Sequence, residues 1–509
     1  MTVAETLPLF VAFPLAMAAI ALISPVKWLR DALHILTPLI GIAAGCGLYA
    51  YTQSHGTIAH VIGDYEGGVG ITFAADRFSA IMIVATMIVA ASANWFATVS
   101  GETKAQYYPV LTLVLITGVC GALLTADLFT FFVMIEVMLL PSYGLIAMTG
   151  GRDRLRAARL FILVNLAAST LLVLAVSIVY GVVGAVNIAS LRGVGAGNGP
   201  ATVALGLVVL AIAVKAGVFP VHTWLPRTYP NSSASVMGLF SGLHTKVAVY
   251  MLFRIYVVIF SLENRWNWLI IVLMVISMLI GAFAGLAELS IRKVLAYQMV
   301  NGMPFILIML AFAADNARAA LAAGIVYTLH HMITIGSLVL NSGALEETYG
   351  TGQLKPLSGI AHRDPWVAAV FAGGAFSIVG FPPFSGIWGK VMLVQAAAAA
   401  GDLRSIVTIT AIIVASFGAL ISMIMVWRKV FWGAPMQNQP KELRVRWALL
   451  APSASMLVIS IAMFFAAGPL MSSVYGATDS LLDVPSYVHA VLGDHPVGVP
   501  NMSGLQEGV

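Results

Sequence analysis

The sequence predicts an all-α polytopic membrane protein of about fourteen transmembrane helices, in two inverted-repeat halves with broken helices at spans 7 and 12. Three observations predict it. The 509 residues are 60% hydrophobic and only 9% charged, where soluble chains carry roughly 25% charged residues. Apolar stretches long enough for a bilayer, about 20 residues each, recur along the whole chain. Two of these stretches are interrupted by Gly and Pro at corresponding places, each with a lysine nearby.

The apolar stretches begin near residues 3, 31, 73, 106, 127, 157, 201, 233, 266, 292, 318, 366, 405 and 446. Their length and the weak period-2 alternation argue against a β-barrel. The first is preceded by Glu5 and lacks a basic n-region, so it reads as a span rather than a cleavable signal. The expected organisation is a three-helix segment over 1–105, a first repeat over 106–260 (spans 4–8), a second over 261–435 (spans 9–13), and a last span with an outer tail over 436–509. "GVGAGNGP" (Gly193–Pro200) reads as a flexible turn; without a following Lys-Ser/Thr it is no phosphate loop. The segment from about 471 contains Gly and Pro and reads as an irregular extension.

The net charge of +5 does not indicate a nucleic-acid partner, because position explains it. Alternate loops hold 17 of the 26 basic residues, including Lys27, Arg30, Lys104, Arg152–Arg159, Arg227, Arg292, Lys293, Lys355, Arg363 and those from Arg428 to Arg446; the opposite loops hold five. The positive-inside rule then places both termini outside a cell membrane. Cys46 and Cys120 are the only cysteines and form no metal-spaced pair.

"VKAGVFPVHTW" in the seventh stretch echoes "SIVGFPPFSGIW" in the twelfth, with Lys215 before the first break and Lys390 after the second. Paired broken helices point to an inverted-repeat transporter and its ion path. Freed backbone groups are tolerated only inside protein or beside water.

Charges within spans are costly, and few occur here. Glu136 lies near the middle of the fifth stretch, Lys215 on the seventh, Lys246 mid-way along the eighth and Lys390 in the second half of the twelfth. Arg254, near the outer end of the eighth, is expected to snorkel. A set of structural ion pairs is the alternative reading, but one acid cannot neutralise three lysines. An unpaired buried lysine can fall from about 10.4 to 5–6 in extreme cases and so exchange protons near neutral pH. His244, His330 and His331 extend the row; imidazole titrates in the same range. His330 and His331 are adjacent and stand about 100° apart on a helix, so they would not ligate one metal together. The residues read as a proton relay are therefore Glu136, Lys215, Lys246, His330, His331 and Lys390. No cofactor is expected, and no metal ligands are assigned.

At these residues the chain resembles the antiporter-like subunits shared by Mrp-type multisubunit cation/proton antiporters and the membrane arm of respiratory complex I. The matching stretches are "TADLFTFFVMIEVMLLPSYGLIA", "VKAGVFPVHTWLPRTYPNSSASVMGLFSGLHTKVAVYMLFRIY", "RKVLAYQMVNGM" and "FPPFSGIWGKVMLV". The family's fifth-span glutamate falls on Glu136, its seventh- and eighth-span lysines on Lys215 and Lys246, and its eleventh-span histidine on His330 or His331. "FSGIWGK" resembles the D-type branch of the Mrp subunits. Some relatives carry a further eleventh-span lysine; here "HHMITIGS" has none.

The resemblance implies exchange of protons for Na⁺ (or Li⁺, K⁺), other Mrp-type subunits as partners, and a bacterial plasma membrane. The alternative is a proton-pumping membrane subunit of complex I or a membrane-bound hydrogenase. The chain carries no cysteine cluster and no dinucleotide fingerprint, so any redox centre would belong to partners. An inert scaffold is hard to reconcile with three costly lysines.

Overall fold

Asp, Ser and Asn side chains start the helices that the apolar runs then extend. Asp76 and Asp402 form capping boxes with Ser79 and Ser405, Asp127 accepts from the Thr130 amide, Ser233 from Val236 and Asn316 from Ala319. Each satisfies backbone N–H groups that a helix start leaves open. The computed structural model describes residues 2–493 except Asp64, Glu66, Thr149, Asn198, Pro435, Gln437, Asn438 and Lys441.

The helices are α1 (Leu9–Ile23), α2 (Lys27–His55), α3 (Arg77–Ser100), α4 (Tyr107–Leu124), α5 (Leu128–Ala147), α6 (Arg152–Val183), α7 (Pro200–Ala216), α8 (Trp224–Thr228), α9 (Ala234–Val258) and α10 (Asn267–Ala284). There follow α11 (Ile291–Leu307), α12 (Ala317–Tyr349), α13 (Ile360–Arg363), α14 (Pro365–Val379), α15 (Gly386–Ala398), α16 (Leu403–Val426), α17 (Trp447–Phe465), α18 (Ala467–Leu482) and α19 (Val484–Leu492). An antiparallel hairpin, β1 (Ile58–Val61) with β2 (Thr72–Ala75), pairs Ile58 with Ala75 and Val61 with Thr72.

Among the described residues twelve helices are long and apolar enough to cross a membrane. Two shorter apolar helices, α7 and α14, end at left-handed glycines, Gly217 (φ 73°) and Gly380 (φ 98°). Each is followed by non-helical residues and then a second helix, α8 or α15. The expected breaks therefore lie where Gly217 and Gly380 stand. Positive φ favours glycine at both positions, since a side chain would strain the turn.

Every residue of α9 is buried, and so is the apolar length of α12. These two helices pack together at the centre, with α11 beside them. The outer helices α1, α2, α6, α10, α16 and α17 expose apolar side chains such as Leu36, Leu166, Leu269, Ile413 and Val458. Lys246, His244, His330 and His331 thus sit on the two most buried helices, and the apolar rim is suited to lipid or partner helices.

Two expectations are corrected here. The segment after 471 is helical through residue 492: α18 packs on α3 and α12, and α19 on β1. Pro485 occupies the first turn of α19, where a missing N–H costs nothing. Asp494 and the residues beyond lie outside the described residues. Arg254 does not snorkel: it is 3% exposed, and its guanidinium meets the Asp76 carboxylate at 2.7 Å.

Candidate functional site: a buried polar row

Glu136 and Lys215 come from α5 and α7, with α6 packed on both. No salt bridge joins them among the described residues. Instead the Lys215 ammonium donates to Ser169 Oγ at 2.8 Å, and Ser169 donates to Glu136 Oε1. Ser169 is 2% exposed and Lys215 5%. Lys215 stands in the last turn of α7, just before the break. Trp224 of α8 folds back there, its indole N–H donating to the Val214 carbonyl at 3.1 Å. The same carbonyl accepts the Gly217 amide at 3.1 Å, so the tryptophan adds a second bond that braces the break.

His244 lies on α9 between α5 and the turn before α9. Ser142 Oγ is 2.9 Å from its Nε2 and Tyr229 OH is 3.1 Å from its Nδ1. Phe240 stacks on the ring at 4.2 Å. Two residues on, Lys246 is 1% exposed and faces elsewhere on α9. Its ammonium donates to the Ser241 carbonyl at 2.8 Å and to Thr245 Oγ1 at 3.1 Å. Among the described residues no carboxylate forms a salt bridge with it.

His330 and His331 are both fully buried on α12 and point to different neighbours. His331 packs over α11, so close that a Cβ on Gly302 would stand 2.0 Å from its Nε2. His330 faces the second break: Ser385 Oγ is 2.8 Å and Thr334 Oγ1 3.1 Å from its Nδ1. Ser377 and Ser460 continue this hydroxyl cluster. Lys390 lies beyond, donating to the Val379 carbonyl and to Ser416 Oγ, both at 2.7 Å. Its ammonium is 5.4 Å from the centre of the Phe305 ring, which stacks on Tyr327.

The six sequence-derived residues therefore fall into two pairs and a linking stretch: Glu136 with Lys215, His330 with the hydroxyls before Lys390, and Lys246 with His331 between. Glu136 and Lys215 are linked through the Ser169 hydroxyl rather than by a direct ion pair, and no side-chain hydrogen bond among the described residues joins Lys215 to Lys246, Lys246 to His331 or His330 to Lys390. Sequence reasoning missed Ser169, Ser142, Ser385 and Ser416. A lone serine in an apolar run gives no signal that it will meet a lysine from another helix. It also missed the Asp76–Arg254 pair, over which the Tyr487 ring of α19 lies 4.9 Å from the guanidinium.

The family described as NADH:quinone oxidoreductase/Mrp antiporter, TM, matches residues 125–422, which contain all six residues. The chain belongs to this family. Two relatives are named as the D subunit of a Na⁺/H⁺ antiporter. That of Alkalihalophilus pseudofirmus is 31% identical over 85% of this chain and 87% of its own length. That of Bacillus subtilis is 30% identical over 85% and 87%. A chain in the structure of the Mrp complex from Dietzia superposes with a TM-score of 0.92 at 36% identity, over 97% of this chain and all of that one. A chain of respiratory complex I from Thermus thermophilus, 21% identical, shares the antiporter-family fold with a TM-score of 0.77 over 93% of this chain and 99% of its own.

Proposed function

We propose that this chain is the proton-translocating D-type component of a multisubunit Na⁺/H⁺ antiporter, a transporter subunit that works in a membrane with other Mrp-type subunits. The observation that carries the proposal is the row from Glu136 through Lys215, Lys246, His331 and His330 to Lys390, half-buried at its two ends and buried between them. The names of its relatives, D subunits of Na⁺/H⁺ antiporters, support the same reading. In it the breaks at Gly217 and Gly380 divide two further spans, which brings the total to fourteen, and the basic loops face the cell interior.

The row works by proton exchange between groups whose charges bias one another. A carboxylate near a lysine favours the ammonium form, and its withdrawal favours the free amine. Movement about Ser169 changes how strongly Glu136 acts on Lys215. The proton then passes toward Lys246, through His331 and His330, to Lys390. Moving one charge across the membrane is worth about 2.3 kcal/mol per 100 mV. One pKa unit is about 1.4 kcal/mol, so modest rearrangements match the driving force. Lysines repel cations, so the Na⁺ path lies away from this row and in part in other subunits.

The rival reading, a proton-pumping subunit of complex I or a membrane-bound hydrogenase, shares the fold. Co-purification from native membranes separates the two. Small hydrophobic partners together with Na⁺-dependent proton movement are expected. Flavin or iron–sulfur partners would overturn the antiporter assignment.

A further inference from the structure

Outside the row, a second polar cluster lies where the basic loops meet. Glu102 follows α3 and is half-buried. Its Oε2 accepts hydrogen bonds from Ser233 Oγ and Ser235 Oγ, both at 2.6 Å, and its Oε1 from Ser100 Oγ at 3.3 Å. Tyr108 donates to Ser235 at 2.8 Å. Ser100 also lines a surface cavity of about 210 Å³ together with Glu347, Thr348, Arg444 and Arg446.

We propose that Glu102 is the site at which the buried row exchanges protons with the aqueous phase on the basic-loop side. One side of the carboxyl reaches the cavity through Ser100. The other abuts the start of α9, the helix that carries His244 and Lys246. A row of polar groups runs inward from it: Ser233, then Ser232, whose hydroxyl donates to the Tyr229 carbonyl at 2.7 Å, then Tyr229, whose hydroxyl meets His244. Ser232 reaches the Tyr229 backbone carbonyl, and no side-chain hydrogen bond joins it to the Tyr229 hydroxyl among the described residues, so transfer along this row requires a bridging water there.

The surroundings favour titration over a fixed ion pair. Glu102 forms no salt bridge among the described residues. Arg292 of α11, which donates to the Ser232 carbonyl, is held by Glu346 at 2.6 Å. Arg154 of α6 lowers the carboxyl's pKa and Glu347 of α12 interacts with its charge, while Lys104 and Tyr108 stand beside it in the chain. Burial pushes the Glu102 carboxyl above the usual carboxylate range and outweighs its hydroxyl donors and Arg154. Gaining a proton forms one O–H bond on a carboxyl oxygen and discharges the group; loss to water restores the carboxylate. A group that cycles this way between water and α9 suits a relay end.

The inference rests on the proposed antiporter role, and its test keeps the two apart. Na⁺-driven proton movement by the assembled complex is measured in vesicles whose bath faces Glu102, across bath pH. Glu102→Gln is expected to lose activity by about a hundredfold and to flatten the dependence on bath pH. Glu102→Asp is expected to keep most activity, with the half-activation pH moved lower. If Glu102→Gln does not assemble, Ser100→Ala decides: a flattened profile supports the inference and an unchanged one overturns it. A wild-type profile in Glu102→Gln, or a loss cancelled by raising Na⁺, also overturns it. Glu136→Gln is inactive at every bath pH if the antiporter role holds, whatever Glu102 does.

Discussion

Lys215 does not touch Glu136; the hydroxyl of Ser169 lies between them, taking a hydrogen from the ammonium and giving one to the carboxylate. When a proton has moved to leave a neutral amine and a protonated carboxyl, the serine can reverse those roles by rotating about one bond, so the two groups stay coupled in either protonation state without a fixed pair. Ser169→Ala should therefore lower exchange by about tenfold, the size of a lost charge-assisted hydrogen bond, while Ser169→Thr keeps most of it. ΔpH-driven exchange in vesicles, normalised to complex content, checks this. Equal rates in Ser169→Ala and wild type would reduce Ser169 to packing.

Glu136→Ala leaves Lys215 without a carboxylate partner. Antiport should be abolished while the chain still inserts and assembles, read by the same exchange assay with the yield of purified complex as control. Near-wild-type exchange would remove Glu136 from the mechanism.

Arg254 and Asp76 form a buried ion pair, so removing one partner strands the other charge. Asp76→Asn should destabilise the chain by about 3–5 kcal/mol. The double variant Asp76→Asn, Arg254→Met should recover most of that loss. Thermal unfolding of the purified complex measures both. A double variant as unstable as the single one would mean that the pair is not the reason for the instability.

Lys390 hydrogen-bonds a carbonyl and a hydroxyl rather than a carboxylate. Lys390→Ala should lose exchange. A carboxylate also carries protons, so Lys390→Glu should keep partial activity with an altered pH optimum. Identical pH profiles for wild type and Lys390→Glu, both fully active, would show that Lys390 is not a proton gate.

Much of this architecture was legible in the sequence. Apolar runs of bilayer length are governed by a strong one-dimensional constraint, the thickness of hydrocarbon. The helix starts accordingly fall within a few residues of those read from composition. Gly217 and Gly380 marked the breaks because few other residues tolerate that backbone turn. Charges such as Glu136 and Lys246 stood out because hydrocarbon makes them rare. Contacts between helices were not legible. Arg254 read as an interfacial cation because Asp76 lies far from it in sequence. Ser169 and Ser385 are small hydroxyls that any apolar helix can carry, and only packing gives them lysine or histidine neighbours. The helices α18 and α19 were missed because Gly, Pro and Ser in that segment resemble loop composition.

The central claim is that the buried row carries protons, and Lys246 tests it most directly. It lies on the fully buried α9, between the Glu136–Lys215 end and the His330–Lys390 end. The deciding measurement is Na⁺-driven proton movement in vesicles containing the assembled complex, comparing wild type with Lys246→Ala and Lys246→Arg. Both variants should be inactive, because alanine has no titrating group and arginine hardly deprotonates in a protein. Full activity in Lys246→Arg would mean that a fixed charge suffices at this position, and full activity in Lys246→Ala would contradict the relay altogether.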